Sequence, residues 1–247
     1  MHRTVLFSCA LLLVLSLTNL VARADSYSGT WRMTPSSTPG RVQLELRYER
    51  IDNGDTDMSD ESHDIPTPQV HGNVFTVVEQ AGEFHLQGTF SDGQGAGTWT
   101  FAPNPNFDRE LRQRGVAAPN DKEQFELAMG HFTLAELDAL LAAGFARPSP
   151  ADLVRMQQHG IDADFIGAMK GLRFSPKTVG ELVRLRDHGV TPQYISDLQR
   201  LGYTPTAEEL VRLRDHGVTP QYIERLRSHG YTHLSADDLI RLHDHGF

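Results

Sequence analysis

The stretch ELVRLRDHGVTPQYI occurs twice in this chain, at residues 181–195 and again, without a single change, at residues 209–223. The copies start at residues 181 and 209, so the period is 28 residues. Chance does not produce identity over such a length, and self-similarity at a fixed period is the signature of a solenoid repeat. The repeat therefore decides the fold class of the C-terminal part of the chain.

Each period contains two different helical units, and weaker copies of both occur on either side. The unit LVRLRDHGV returns with changes at residues 153–161 and 239–247, and more loosely at 137–145. The unit TPQYISDLQRLGY, at 191–203, aligns without gaps to residues 219–231, 162–174 and 104–116. The array therefore extends from about residue 103 to residue 247.

Local signals mark where each helix begins and ends. Gly189 follows one helix and precedes an apolar residue, which is typical of a left-handed C-cap. Thr191 and Pro192 then begin the next helix, because threonine accepts from free N–H groups and proline has none to leave unpaired. Helices this short are marginal alone, so stacking of their apolar stripes must stabilise them. We predict an α-solenoid of short helices over residues 103–247.

The preceding part, residues 25–102, follows a period of two instead. Apolar residues at the even positions from Val42 to Tyr48 alternate with polar ones, which is typical of strands with one buried face. Trp31 and Met33 repeat the pattern, and turn residues separate such runs. We predict about five or six antiparallel strands in a small sheet, sandwich or partly open barrel. The chain as a whole is then α+β.

The first 24 residues have the features of a secretory signal peptide. Arg3 is followed by an apolar stretch, and residues 22–24 read Ala-Arg-Ala, a small-x-small cleavage site. We expect removal of residues 1–24 and export to the periplasm or the extracellular space. An uncleaved anchor is the alternative, but Ser16 and Asn19 interrupt the short apolar stretch, and no second stretch is long enough to cross a membrane.

Composition limits the partners and the means of stabilisation. The single cysteine, Cys9, leaves with the signal peptide, so the mature chain has no disulfide. Arg3 and Arg23 leave too, so 21 of the 23 basic residues remain against 32 acidic ones and the net charge changes from −9 to −11. Nucleic-acid binding depends on neutralising phosphates, so we exclude nucleic acid as a partner.

Histidines hold one slot, directly before the cap glycine, in several copies: His159, His188, His216 and His245. With neighbouring aspartates they could suggest a metal site. Equivalent slots of a solenoid lie far apart, however, and the spacing matches no zinc pattern. Histidine at a helix C-terminus ordinarily meets free carbonyls and the negative end of the helix dipole. We therefore expect no metal and no cofactor.

Motifs for catalysis or calcium binding do not emerge either. The acidic run at residues 52–61 places Met58 where a calcium loop needs glycine, so we expect a solvated hairpin loop there. No motif such as G-x-S-x-G assembles a nucleophile with its base. We expect a protein that is not an enzyme and has no catalytic residues, with a hydrolase as a minor alternative.

Arginines at repeated positions are the candidate partner-binding residues: Arg184, Arg186, Arg212, Arg214 and Arg241. On a helical wheel, Arg184 points towards solvent and can pair with Asp187 three residues on. Arg186 lies close to the apolar face, so its stem can cover neighbours while its guanidinium reaches a carboxylate or a helix carbonyl. The alternative is an arginine-lined groove for an acidic peptide or a glycan-like anion.

The repeat run LVRLRDHGVTPQYI and the GYTP junction at residues 202–205 resemble repeats appended to bacterial membrane metallopeptidases of the beta-lactam sensor–transducer type. The stretch GAGTWTFAPNPNF, at residues 95–107, looks like the join in uncharacterised exported bacterial proteins with the same two-part plan. The metal-binding helix motif of the peptidases is absent, so no catalytic residue carries over. The resemblance implies an envelope-associated module, either a partner or a soluble relative of such a sensor.

These observations favour an exported, non-catalytic recognition or scaffold protein that binds a protein partner through its helical repeats. A small-ligand or glycan-binding β-domain, with the helices as a spacer, is the alternative. Because solenoids usually end in polar capping repeats, and the last unit here is not visibly one, we also expect self-association through the C-terminal helix.

Overall fold

The computed structural model describes residues 27–52, 55–68, 73–170, 172 and 176–246. The predicted signal peptide, residues 1–24, lies outside them. Six strands come first along the described chain and ten helices follow. This order confirms the predicted α+β class, with a sheet followed by a helical repeat array.

The strands form one antiparallel sheet. They are β1 (Ser28–Pro35), β2 (Arg41–Asp52), β3 (Asp55–Pro66), β4 (Val74–Val78), β5 (Gly82–Ser91) and β6 (Gln94–Pro103). Their order across the sheet is β3-β2-β1-β6-β5-β4, so β3 and β4 are its edges. Two meanders of three strands meet where β1 pairs with β6. Of the arrangements that the sequence left open, the structure has the single sheet.

Alternation along the strands gives the sheet one buried face. On β1, Trp31 and Met33 are only 3% and 1% exposed, whereas Arg32 and Thr34 between and beyond them are exposed. Buried residues of the other strands, such as Leu44, face the same side. The opposite face is polar, as the period of two predicted.

Most of the acidic run at residues 52–61 is strand, so the predicted hairpin loop was wrong. β3 begins at Asp55 and pairs with β2 along its length. Asp60 lies opposite Arg47, and its Oδ1 is 2.5 Å from Arg47 Nε. Opposite charges across a ladder favour pairing, and this lets an acidic segment form an edge strand.

Ten short helices follow the sheet. They are α1 (Phe107–Gln113), α2 (Asp121–Met129), α3 (Leu134–Ala142), α4 (Pro150–Gln158), α5 (Ala163–Lys170), α6 (Val179–Asp187), α7 (Pro192–Arg200), α8 (Ala207–Asp215), α9 (Pro220–Ser228) and α10 (Ala236–Asp244). From α2 onward, each helix packs against the helix two places along. The even-numbered and odd-numbered helices therefore form two rows, which confirms the predicted two-helix repeat.

Helix ends follow the predicted capping chemistry. The hydroxyls of Thr191 and Thr219 accept from the N–H groups of Tyr194 and Tyr222, and proline follows each threonine. Gly189 has a φ of 65°, the left-handed conformation that favours glycine. These local bonds begin and end helices that would be unstable alone, and the apolar stripes between them pack into the core.

Helix α2 covers the buried face of the sheet. The Phe125 ring stacks on Tyr27 with centroids 4.1 Å apart and meets the Tyr48 ring edge-on at 5.1 Å. Beside it, Gln124 is 6% exposed and donates from Nε2 to the Ala81 carbonyl at 2.7 Å. The sheet and the helical array therefore share one continuous core at α2.

Candidate functional site

Two of the five predicted arginines join consecutive repeats. Nη1 of Arg184 in α6 lies 2.5 Å from Glu208 Oε2 in α8. Arg212 in α8 donates from Nη2 to Asp237 Oδ1 in α10 at 2.7 Å. Both acids lie in the first turn of the next even-numbered helix. The expected pairing of Arg184 with Asp187 inside one helix was therefore wrong, since the guanidinium reaches the neighbouring repeat instead.

These ion pairs remain at the surface. The side chains of Arg184 and Glu208 are 49% and 57% exposed. Their hydrogen bond raises the pKa of Arg184 and lowers the pKa of Glu208. Because exposed ion pairs add little to stability, these pairs connect consecutive repeats without contributing much to the free energy of folding.

Arg186 and Arg214 lie across aromatic rings of the preceding odd-numbered helices. Their Cζ atoms are 5.1 Å from the ring centroid of Phe165 and 5.0 Å from that of Tyr194. Arg214 also donates from Nε to the Gly189 carbonyl at 3.0 Å. This is the role that the sequence left open, in which the stem covers a neighbour and the guanidinium bonds a helix carbonyl.

Arg241 in α10 bonds inside its own helix, donating from Nη2 to Asp238 Oδ1 at 2.5 Å, and its side chain is 68% exposed. The five arginines are thus spread over α6, α8 and α10, and each meets a group of the array itself. The structure does not bring them together around a single ligand.

Histidines link the same repeats at a second position, which sequence reasoning missed. Each of three histidines bonds, through Nδ1, an aspartate at the end of the next even-numbered helix. The pairs are His159–Asp187 at 2.5 Å, His188–Asp215 at 2.7 Å and His216–Asp244 at 2.9 Å. The recurrence of aspartate one residue before histidine in successive copies was the available signal. The expected bond to a helix carbonyl occurs at His229, whose Nδ1 is 2.9 Å from the Arg225 oxygen.

Together, these pairs form a line of repeated polar contacts along the even-numbered helices α4, α6, α8 and α10, which we call the ladder surface. Each His–Asp pair supplies only two side chains of the kind that binds metals. Across the part of the chain that the structure describes, no group of three or more His, Cys, Asp or Glu side chains could hold a metal ion. The ladder surface is therefore a set of repeated two-group contacts.

Arg32, on the uncovered face of the sheet, is a second candidate that the sequence did not single out. Nearby, Arg47 is paired with Asp60, whereas Arg32 makes no ion pair or hydrogen bond with any described residue. Its neighbours along the row of paired residues are Glu45 on one side, and Ala96 and then Thr89 on the other. Because Ala96 and Thr89 are small, grooves of about 310 and 720 Å³ flank the guanidinium, and Glu45 lines the smaller one.

Among the described residues, every helix is too short or too polar to cross a lipid bilayer. Comparison of the chain with models of known protein families, with curated proteins and with solved structures finds no match.

Proposed function

We propose that this is an exported, non-catalytic recognition protein that binds a protein partner through the ladder surface of its helical array. The observation that supports the proposal is the regular spacing of exposed charged pairs in consecutive repeats. Arg184 and Arg212 each pair with an acid of the next even-numbered helix, yet their side chains remain 49% and 43% exposed. Repeat arrays use such extended, regular faces for binding.

The partner that suits this surface is a protein face with both signs of charge, spaced like the repeats. Electrostatic complementarity of this kind sets the register and excludes wrong partners more than it adds affinity. The resemblance of the repeats suggests a membrane metallopeptidase of the beta-lactam sensor type, or a protein that acts beside it in the cell envelope. The signal-like residues 1–24 support export to that compartment.

A paired charge exchange separates binding from stacking. Changing Arg184→Glu together with Glu208→Arg keeps an ion pair between α6 and α8 but reverses the exposed pattern. We expect an unchanged thermal midpoint and loss of the envelope protein that cross-links to the wild-type chain. Retained cross-linking by a folded double variant contradicts the proposal.

The matched control exchanges Arg47 and Asp60 on the sheet, whose side chains are 51% and 46% exposed. We expect this variant to keep the partner. If only the variant with exchanged Arg47 and Asp60 lost the partner, the binding site would lie on the β-domain instead.

A small acidic ligand, such as an acidic glycan, bound on the uncovered sheet face is the second candidate function. The guanidinium of Arg32 favours it, since its fork of N–H donors matches a carboxylate and, although Glu45 stands opposite on β2, the two make no ion pair. The hydroxyls of Thr30 and Thr34 line the same grooves. In calorimetric titration with uronic-acid oligosaccharides, Arg32→Gln should abolish binding. Arg109→Gln, at an exposed arginine of α1, should retain it. Absence of binding to the wild type removes this candidate.

A further inference from the structure

His131 occupies a backbone position that most other helices give to glycine. It is the second residue after α2 and has a φ of 56°. The second residue after α1, α3, α4, α6, α7, α8 and α9 is Gly115, Gly144, Gly160, Gly189, Gly202, Gly217 and Gly230, with φ between 62° and 89°. A side chain is disfavoured in this left-handed region. Such an outlier points to a role for the side chain itself.

The His131 side chain connects the two edges of the sheet to the start of the array. Its Nδ1 lies 2.8 Å from Glu79 Oε1, just after β4, and its Nε2 lies 2.7 Å from His63 Nδ1 in β3. Since β3 and β4 are opposite edges of the sheet, this one imidazole bridges the gap between them. Gln80 adds a neighbouring attachment, because its Oε1 accepts from the Leu134 N–H at 2.7 Å.

The two imidazoles share one proton between their facing nitrogens. His131 Nδ1 faces a carboxylate, so it carries a proton and donates to Glu79. That bond raises the pKa of His131, and the cationic form of the ring donates from Nε2 to the bare Nδ1 of His63. Burial and then the charge of His131 lower the pKa of His63 to about 4. His63 is therefore neutral at neutral pH and accepts from the cationic form of His131.

At acidic pH, His63 becomes protonated and can no longer accept this hydrogen bond. Once His63 takes up a proton, N–H faces N–H between two cations, and the bond is replaced by repulsion. Among the described residues, the neighbours of His63 offer little compensation: Leu44, opposite His63 on β2, is apolar, and Glu79 is already bound to His131. Glu61, two residues along β3 on the same side, is exposed to solvent.

A carboxylate on the helical side of the cluster is also already hydrogen-bonded. The Glu136 carboxylate in α3 accepts from the Thr133 N–H and from Gln157 Nε2. Behind the cluster lies a small apolar space between the sheet edges and α2. Its apolar lining includes Leu46, Ile65, Val77, Phe84 and Met129. Loss of the bridge would let water reach these side chains.

We propose that Glu79, His131 and His63 form an acid-opened clasp, which holds the edges β3 and β4 and the α2–α3 connection together at neutral pH. Protonation of His63 releases the connection from the sheet and opens the apolar seam. The joint between the sheet and the helical array thereby responds to pH.

Nuclear magnetic resonance on the complete mature chain tests the clasp. Ring nitrogens of the histidines and exchange of the Leu134 amide are followed from neutral pH to below the pKa of His63. We expect His63 to titrate near 4 instead of 6.5, and the Leu134 amide to lose protection at the same midpoint. Titration of His63 near 6.5, or a Leu134 amide still protected below the midpoint, overturns the proposal.

Two glycine variants separate the clasp from its backbone strain. His131→Gly restores the usual residue of the array and removes the clasp. His233, which is exposed and has a φ of 57°, lies outside the cluster, so His233→Gly relieves the same strain alone. We expect the pKa of His63 to rise and the acid-dependent exchange at Leu134 to disappear only in His131→Gly. Identical behaviour of both variants overturns the clasp.

Discussion

Changing Phe125 in α2 to alanine should destabilise the sheet although the residue lies outside it. Its ring is 1% exposed. The rings around it are Tyr27 at 4.1 Å, Tyr48 at 5.1 Å, Phe101 at 5.4 Å, Trp99 at 6.0 Å and Phe84 at 6.2 Å between centroids. All of these partners belong to the sheet or the residue before it. The buried face of the sheet therefore depends on helix α2 for part of its aromatic packing.

The size of the expected stability loss depends on how far the surrounding residues can move into the space that the Phe125 ring leaves. A buried Phe→Ala change costs about 3–5 kcal/mol, and the cost rises with the cavity that remains. The surrounding rings are held by paired strands, so they cannot collapse into the space. Each aromatic pair adds about 0.5–1.5 kcal/mol beyond its buried area. We therefore expect a loss of about 4–5 kcal/mol, a large part of a domain stability of about 5–15 kcal/mol.

Urea denaturation, followed by near-ultraviolet circular dichroism, measures the loss. Both tryptophans, Trp31 and Trp99, lie in the sheet and report its packing. Phe125→Leu keeps part of the buried volume but loses the aromatic pairs, so it should cost less than Phe125→Ala. Phe107→Ala is a matched control for burial, since Phe107 is 1% exposed but contacts the single ring Phe132 at 6.1 Å among the described residues. A loss below about 1 kcal/mol for Phe125→Ala would refute the shared core.

Tyrosines of the array give four further predictions. Tyr194→Phe should lower the free energy of unfolding in urea by about 1–2 kcal/mol, because the Tyr194 hydroxyl donates to the Val218 carbonyl at 2.8 Å. Tyr222→Phe should be neutral or stabilising, since the buried Tyr222 hydroxyl has no hydrogen-bond partner among the described residues. Burial raises the pKa of Tyr194 from 10.0 to about 12, so the unfolded chain loses this proton first. Wild type should therefore lose stability relative to Tyr194→Phe as the pH rises through that interval, and parallel curves would contradict this. Tyr231 follows α9 and is 40% exposed, and we expect it to support self-association. Tyr231→Ser should therefore lower the molecular mass measured by light scattering at high protein concentration. Equal masses for the variant and the wild type would exclude this contact.

Short-range patterns carried most of the fold prediction. Alternation from Val42 to Tyr48 identified the buried face of β2, and Thr191 with Gly189 identified helix ends. These features depend on groups within a few residues of each other along the chain, so the sequence alone displays them. The two-row packing followed from the same period, because a short amphipathic helix must rest on its neighbours.

Partners that are distant along the chain could not be predicted, because short-range patterns contain no information about them. The apolar position of Phe125 predicts burial but does not say that a sheet covers it. His131 breaks the glycine pattern visibly, yet its partners Glu79 and His63 lie 52 and 68 residues away in the sequence. A helical wheel assigned Arg184 a partner in its own helix, because a wheel contains no neighbouring helix.

The recurrence of Asp-His at the end of the repeated stretch has a physical basis in these long-range contacts. Asp215 at the end of α8 bonds His188 of the preceding repeat, while His216, the next residue, bonds Asp244 of the following one. Arg214 also reaches back across Tyr194. One stretch therefore supplies a partner to the repeat before it and to the repeat after it. The less similar copies keep these partners, since His159 bonds Asp187 and Asp244 bonds His216. The contacts between repeats therefore account for the recurring Asp-His pair, because a change of either residue leaves its partner one period away without its bond.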